Sequence, residues 1–408
     1  MLNLPGYQET NQIYDGKRTL VYKSIQNSTG QSVIVKVLRN RYPSFNELVQ
    51  FRNQYIITCH LQHPAIVQPL GLERYNNGYA LIMPDSGAIA LSKYWQNSEQ
   101  TLANFLNIGI QLAEAIHYLT QQRIIHKDIK PTNILIHPET GQIQLIDFSI
   151  SSLLPIEQQQ LINPNVLEGT LAYISPEQTG RMNRGIDYRT DFYSLGVTFF
   201  ELLSGKLPFE SSDPMELVHC HIAEKPKFPL KTQVPEVLQE IVIKLMAKNA
   251  EERYQSALGL KHDLERCLQQ LETTGKTRSF ELGERDVSDR FIIPEKLYGR
   301  ETEVQILLDA FDRVSNPFGN SPHTPTKGGE GRAEMMLVAG FSGIGKTAVI
   351  NEVHKPIVRQ RGYFIKGKYD QFNRNIPFSA FVSAFRDLIS QLLGESDANL
   401  ANWKQKIL

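Results

Sequence analysis

Between residues 126 and 147 the chain gathers side chains that could move a phosphoryl group. His126, Asp128, Lys130 and Asn133 fall within one short stretch, HKDIKPTN, and Asp147 follows in LIDFS. A phosphoryl group in flight carries spread negative charge, so its transfer depends on positioning and charge neutralisation more than on covalent help. One carboxylate must orient an attacking hydroxyl and accept its proton, a cation must sit by the outer phosphate, and two oxygen ligands must hold a divalent ion against the phosphates. Asp128, Lys130, and the pair Asn133 and Asp147 answer these needs in turn. His126, with no such task, reads as structural.

A second phosphate signal is GFSGIGKT, residues 340–347, which fits G-x-x-x-x-G-K-[ST]. In such a loop Gly340, Gly343 and Gly345 let backbone N–H groups approach phosphates, Lys346 reaches the outer ones, and Thr347 can ligand Mg²⁺. The apolar run Met335–Ala339 is predicted to be a buried strand feeding the loop, with AVINEVHKPIV as the helix after it. No apolar strand ending in an acidic pair follows, so hydrolysis at this loop is not expected.

The elements that must position these groups can be read from periodicity. Residues 7–37 alternate and are broken by turn residues, predicting a β-meander. A helix is expected over 46–61, ended by His63-Pro64 because the residue before proline leaves the α region. Two more strands, 67–73 and 79–83, complete a small sheet. From 101 to 122 apolar residues recur every three or four positions, the face of a buried helix that opens a second, mainly helical lobe. Residues 133–148 give two short strands about a turn at 138–141, and 191–204 a helix closed by Gly205. The polar stretch 271–290 reads as a linker, with 7–270 before it as one domain and 291–408 as a partial nucleotide-binding domain. A helix is expected over 301–314 and a Pro/Gly/Ser loop over 316–332.

In this order the motifs resemble those of the protein kinase superfamily. HKDIKPTN resembles its catalytic loop, Asp147-Phe148-Ser149 its metal-binding triplet, GTLAYISPE (169–177) the end of its activation loop, and DFYSLG (191–196) the helix that braces the catalytic loop. Arg253 resembles the arginine that pairs with the residue here numbered Glu177. The resemblance implies an α+β bilobal kinase fold, β-rich N-lobe and helical C-lobe, followed by the start of an α/β P-loop NTPase domain. It implies ATP and Mg²⁺ as cofactors and a protein substrate with a Ser/Thr acceptor, since Lys130 follows the base by two residues. Lys36 in VIVKVL would grip the α/β-phosphates. Ile13, Gly16, Val21, Ile34, Met83, Asp85 and Ser86 would line the nucleotide cleft, Met83 as gatekeeper and the backbone of 84–86 meeting adenine. LYGRE (297–301) and KGKYDQFNRNIPFSAFV resemble the ATPase module of large bacterial hybrid signalling kinases. In these, sensor and histidine-kinase domains follow and would be partners, and the chain reads as a truncated or split member.

The chain departs from the family at the nucleotide lid and at the helix behind it. The lid reads IYDGKRTLV, with Tyr14 and Thr19 where glycines are usual, so a looser lid is expected. The helix partner of Lys36 falls on Gln54, with Glu47 two turns away and about 10 Å along the axis. Lys127 stands where many kinases have an arginine that reads an activation-loop phosphate, so loop phosphorylation is not expected to be required. These departures motivate a pseudokinase scaffold, or a nucleotide-controlled switch acting through Lys346, as alternatives. Lys plus Arg equals Asp plus Glu at 43 each, which gives no pull toward nucleic acid. The three cysteines are unpaired in spacing and no apolar run could span a bilayer, so a reduced, cytoplasmic setting without membrane insertion is expected.

Overall fold

The computed structural model describes residues 2–153, 170–180, 185–229, 234–287, 299–315, 333–341, 344–352, 363–367, 378–392 and 403–405. The alternating N-terminal stretch forms an antiparallel sheet in the order β1, β2, β3, β5, β4: Tyr7–Asp15, Thr19–Gln26, Ser32–Leu38, Gly78–Pro84 and Gly71–Tyr75. Period two divides β3 between two faces. Val33, Val35 and Val37 join Tyr22, Ala80 and Ile82 in a buried layer that Leu2 and Leu4 complete. Ile34 and Lys36 consequently point to the other face, where the cleft lies.

Helix α1, Phe45–Thr58, packs beside this sheet. Ser44 and Glu47 form a reciprocal capping box at its start, which satisfies two otherwise orphaned donors. The strand expected from residue 67 begins instead at Gly71. Residues 65–67 are drawn to β8, Ile143–Leu145: the Leu145 N–H donates to the Ala65 carbonyl at 2.7 Å and the Val67 N–H to the Leu145 carbonyl at 3.2 Å. The expected strand residues thus join the two lobes.

After the short helix α2, Leu91–Asn97, the second lobe is built on α3, Leu102–Gln121, whose apolar face packs along α7, Ala257–Thr274. Helices α4 (Arg189–Ser204), α5 (Pro214–Ala223) and α6 (Glu236–Leu245) come between them in the chain. Helix α4 runs through the core and stops at Gly205, whose φ of 71° is the left-handed conformation that glycine adopts without strain. In a short sheet of β6, β7 and β8 (Ile89–Ala90, Ile134–Ile136, Ile143–Leu145), residues 126–133 lead into the middle strand, β7, and Asp147 follows β8.

Much of the expected linker is docked. α7 continues to Thr274, and Phe280 and Leu282 pack against the lobe's apolar core. The Asp286 carboxylate accepts the N–H groups of Gln255 and Ser256 at 2.9 and 2.7 Å, and the Gly283 N–H donates to Asp263 at 2.9 Å. The Arg266 guanidinium lies 4.2 Å from the centre of the Phe280 ring. The segment's polar composition reflects docking by hydrogen bonds as much as by apolar burial, which is why periodicity did not register it.

Farther on, α8 (Glu301–Ser315) forms where expected, followed by α9 (Lys346–Glu352) and α10 (Ser379–Leu392). The expected loop 316–332 lies outside the described residues, as do residues 353–358 of the expected helix AVINEVHKPIV. No described helix is long and apolar enough to cross a membrane.

Candidate active site

The site forms where the sheet face bearing Lys36 meets the catalytic-loop edge of the second lobe. In the strand register Lys36 lies opposite Val21 and Leu81, and Ile34 opposite Met83. The Lys36 ammonium donates to Gln54 Oε1 at 2.9 Å and pairs with Asp147 Oδ1 at 3.0 Å. Gln54, buried on α1, therefore occupies the partner position, while Glu47 is engaged in the capping box. Asp147 sits at φ 65°, a left-handed conformation rare outside glycine, and this conformation presents its side chain to Lys36. Burial pushes the Asp147 carboxyl pKa up, but the Lys36 charge and its hydrogen bond outweigh that and hold it down at about 2.

Asp128 is the centre of the second group. Lys130 Nζ lies 2.6 Å from its Oδ2, and the Asn133 amide donates to the same oxygen at 2.8 Å and to the Asp128 carbonyl at 2.9 Å. The Thr170 N–H and hydroxyl donate to Oδ1 at 3.1 and 3.0 Å, and Lys130 also donates to the Thr170 hydroxyl. The backbone ties the two groups together, since the Ile146 N–H donates to the Asn133 carbonyl at 3.0 Å. With its NH₂ directed at Asp128, Asn133 turns its Oδ1 away from that bond, and the Asp147 carboxylate, which also meets the Ser149 hydroxyl, carries a second oxygen besides the one bonded to Lys36. Two hard oxygen donors beside the Lys36 ammonium would suit a small divalent ion such as Mg²⁺, which takes few protein ligands and fills the rest of its shell with other oxygens.

Support comes from beneath. The Asp191 carboxylate, fully buried on α4, accepts the N–H groups of His126 and Lys127, each at 2.8 Å. Burial raises its pKa, and these bonds oppose the rise. His126 Nε2 lies 3.1 Å from the Ile146 carbonyl, its ring meets Phe148 edge to face, and the Asp128 N–H reaches its Nδ1 at 3.3 Å. These partners fit the Nε2–H tautomer, which donates to the Ile146 carbonyl and accepts from the Asp128 N–H. Deeper still, Arg253 grips Glu177 with two bonds of 2.7 and 2.9 Å, and Thr190 donates to Glu177 at 2.7 Å. Gly169 of the matching motif lies outside the described residues.

At the hinge, Asp85 pairs with Lys23 at 2.7 Å and accepts from the Ser32 hydroxyl at 2.7 Å, so its side chain belongs to the strands and only its backbone is left for a ligand. The Ser86 hydroxyl donates to Gln144 at 3.0 Å. Ile13 is half exposed near the lid. The lid itself is not loose: the Gly16 N–H donates to the Thr19 carbonyl at 3.0 Å, and Arg39 donates to the Gly16 carbonyl at 2.9 Å and pairs with Asp15. Side chains fix what missing glycines leave open. Residue types alone do not betray Arg39, nor Asn53, whose amide on α1 donates to the carbonyls of Ser149 and Ser151 at 3.3 and 3.0 Å. Nor does residue type betray Thr170, whose N–H and hydroxyl hold Asp128.

At the P-loop, Gly345 has φ 92°, a conformation that requires glycine, and Gly340 has φ 157°. Gly343 lies outside the described residues, and Thr347 is exposed in the first turn of α9. Lys346 Nζ donates to the carbonyls of Gly340 and Phe341 at 2.8 and 2.7 Å, folded back on its own loop. The apolar run before it is not a buried strand. Met335 and Leu337 are 94% and 90% exposed. A parallel-type strand needs ladder neighbours and cover on both faces, and no strand forms among the described residues after 300.

The family profile described as protein kinase domain matches residues 7–264, and that described as AAA ATPase domain matches residues 325–408. The "Hybrid signal transduction histidine kinase G" of Dictyostelium discoideum is 40% identical over 59% of this chain and 7% of its own length. "Serine/threonine-protein kinase PrkC" of Bacillus subtilis is 31% identical over 63% of this chain and 40% of its own. "Serine/threonine-protein kinase PknA" of Mycobacterium tuberculosis is 30% identical over 61% of this chain and 58% of its own. The chain thus spans less than two thirds of each of these relatives. The first profile covers more than half of the chain, and its two lobes meet at the Lys36, Asp128 and Asp147 cluster: the chain belongs to the protein kinase domain family.

Proposed function

We propose that the chain is a serine/threonine protein kinase that transfers the γ-phosphoryl group of Mg-ATP to a protein hydroxyl. The observation that carries this reading is the Asp128 carboxylate, held by Lys130 and Asn133 of its own loop and by the Thr170 N–H from a later segment, beside the Lys36 and Asp147 pair. In that reading Asp128 orients the acceptor hydroxyl and takes its proton. Its Oδ2 lies against Lys130, whose ammonium steadies the outer phosphate. Lys36, steered by neutral Gln54, holds the inner phosphates. Asn133 Oδ1 and the Asp147 carboxylate hold Mg²⁺, which when bound offsets phosphate charge. Residues 13, 21, 34 and 83 line the adenine side, where the hinge backbone makes the polar contacts. A cytoplasmic setting and a sensor or histidine-kinase partner in the same signalling assembly extend the reading, as the hybrid relative's name suggests.

Incubating the full chain with Mg-ATP and a generic protein substrate, then mapping phosphate by mass spectrometry, tests it. Phosphoserine or phosphothreonine should form with the parent protein and fall at least a thousandfold in Asp128→Asn, the scale on which loss of a positioned base together with its network is felt. Equal phosphorylation by parent and variant would reject the reading in favour of a scaffold.

A further inference from the structure

We propose that Arg39 is a positioning residue for the nucleotide lid, standing in for the glycines the lid lacks; the proposal rests on the kinase reading of the cleft. The lid is the turn between β1 and β2. A glycine-rich turn can settle onto phosphates because its backbone has few side chains to obstruct it. Here only Gly16 remains, and its open side is already taken: a Cβ at Gly16 would lie 2.4 Å from Tyr14 Cε1. The Tyr14 ring thus lies against the turn, and the backbone closes on itself through the Gly16 to Thr19 bond of 3.0 Å.

Three bonds then pin this turn to the end of β3. The Arg39 guanidinium donates to the Gly16 carbonyl at 2.9 Å and pairs with the Asp15 carboxylate, and the Arg39 N–H donates to the Arg18 carbonyl at 2.9 Å. Arg39 lies three residues after Lys36 on the same chain segment. In the register Thr19 faces Leu38 and Val21 faces Lys36, so the pin fixes the turn's position relative to the lysine that would grip the phosphates. Both side-chain bonds leave one guanidinium nitrogen, Nη1, carried at the end of a rigid planar group that reaches farther than a lysine ammonium on its flexible stem. Both partners of the ion pair are about half exposed, so the pin is sensitive to salt.

The test is nucleotide dissociation from the full chain, made in a Lys346→Ala background so that the P-loop does not contribute. A fluorescent ATP analogue with Mg²⁺ is the probe. Arg39→Ala should speed its dissociation on the order of tenfold, the effect of losing a charge-assisted hydrogen bond that is partly exposed. Raising salt to 0.5 M should bring the parent's rate toward that of the variant while leaving the variant's almost unchanged, a convergence that a merely structural loss would not produce. Arg39→Lys should recover less than half of the effect, and Asp15→Asn, which spares the Gly16 bond, should show a smaller increase. Dissociation within twofold of the parent in a folded Arg39→Ala protein, judged by an unchanged melting curve, overturns the proposal. If Arg39→Ala does not fold, the Asp15→Asn rate and the parent's salt dependence decide, and the absence of both rejects it. Analogue binding that survives Lys36→Met places the nucleotide elsewhere and defeats both readings. Tight binding with no phosphate transfer defeats the kinase reading and leaves the lid result standing.

Discussion

Truncating Arg253 to methionine should destabilise the helical lobe by about 4 kcal/mol at neutral pH, the cost typical of leaving one buried partner of an ion pair uncompensated. The structure supports that magnitude independently. Arg253 is fully buried and makes both carboxylate bonds to Glu177, with further bonds to the carbonyls of Arg189 at 2.9 Å and Ala247 at 2.8 Å. Burial pushes the Glu177 carboxyl up, yet the guanidinium and the Thr190 hydroxyl hold it at about 2, against its usual 4.5. At 1.36 kcal/mol per unit this depression amounts to about 3 kcal/mol. Because the folded pKa is lowered, the stabilisation is fully present above pH 4.5 and is lost as pH falls from there toward 2. Without Arg253 burial is opposed only by the Thr190 hydroxyl and the residue's own backbone N–H, and the Glu177 pKa should rise above 4.5 in the variant. The variant then takes up a proton on folding and recovers stability on acidification, so the gap between the two proteins should narrow between pH 7.5 and 5. Adding Glu177→Gln to Arg253→Met should restore more than half of the loss. Urea unfolding followed by Trp95 fluorescence in a Trp403→Phe background reads this, because Trp95 is buried in the same lobe with its indole bonded to the Leu202 carbonyl at 2.9 Å. A loss under about 1 kcal/mol, or one equal at both pH values, would refute the reasoning, since an uncompensated buried carboxylate cannot be that cheap.

Three shorter expectations bear on other parts of the site. Gln54→Ala should lower kcat/KM for ATP on the order of tenfold by leaving Lys36 to Asp147 alone, and Gln54→Glu should stay within about threefold of the parent; steady-state kinetics with equal values for Gln54→Ala and parent would exclude a role for the amide. Burial, with the nearby Arg253 charge, holds the Lys248 ammonium down at about 7, so the unfolded chain binds more protons between that value and 10.5, and stability should rise with pH across that window; Lys248→Met should flatten this rise, and an unaltered slope in pH-dependent melts would contradict it. Phosphatase treatment should leave at least half of the transfer activity, because an ammonium at residue 127 lacks the bidentate fork with which a guanidinium reads a loop phosphate; complete loss of activity would show that a phosphate is needed all the same.

The parts of the site legible in sequence are those whose geometry is set over a few residues or by one interaction that a residue type announces. Asp128, Lys130 and Asn133 share a loop in which the backbone places each side chain, so their spacing already contains their mutual bonds. Asp147 and Gln54 needed only the distance from a proline turn or a strand end to fall against Lys36. What stayed hidden depends on which distant surface a segment meets. Arg39 reads as an ordinary surface charge until the β1–β2 turn comes beside it, and Asn53 as a helix polar residue until the chain after Asp147 passes under it. The stretch 275–287 was obscured for the same reason, since Asp286 caps the start of α7 from the far side of the segment. The apolar run at 335–339 shows the converse limit. Its composition states that it would be buried if paired, but a strand is a property of two neighbours, and hydrophobicity in one of them cannot supply the other. A nucleotide loop is therefore more securely read from the elements that hold its phosphate-binding lysine than from its glycines. Lys36, with a glycine-poor lid, is fixed by a sheet, a helix and Asp147, whereas Lys346, within a matching glycine pattern, bonds among the described residues only to its own loop carbonyls.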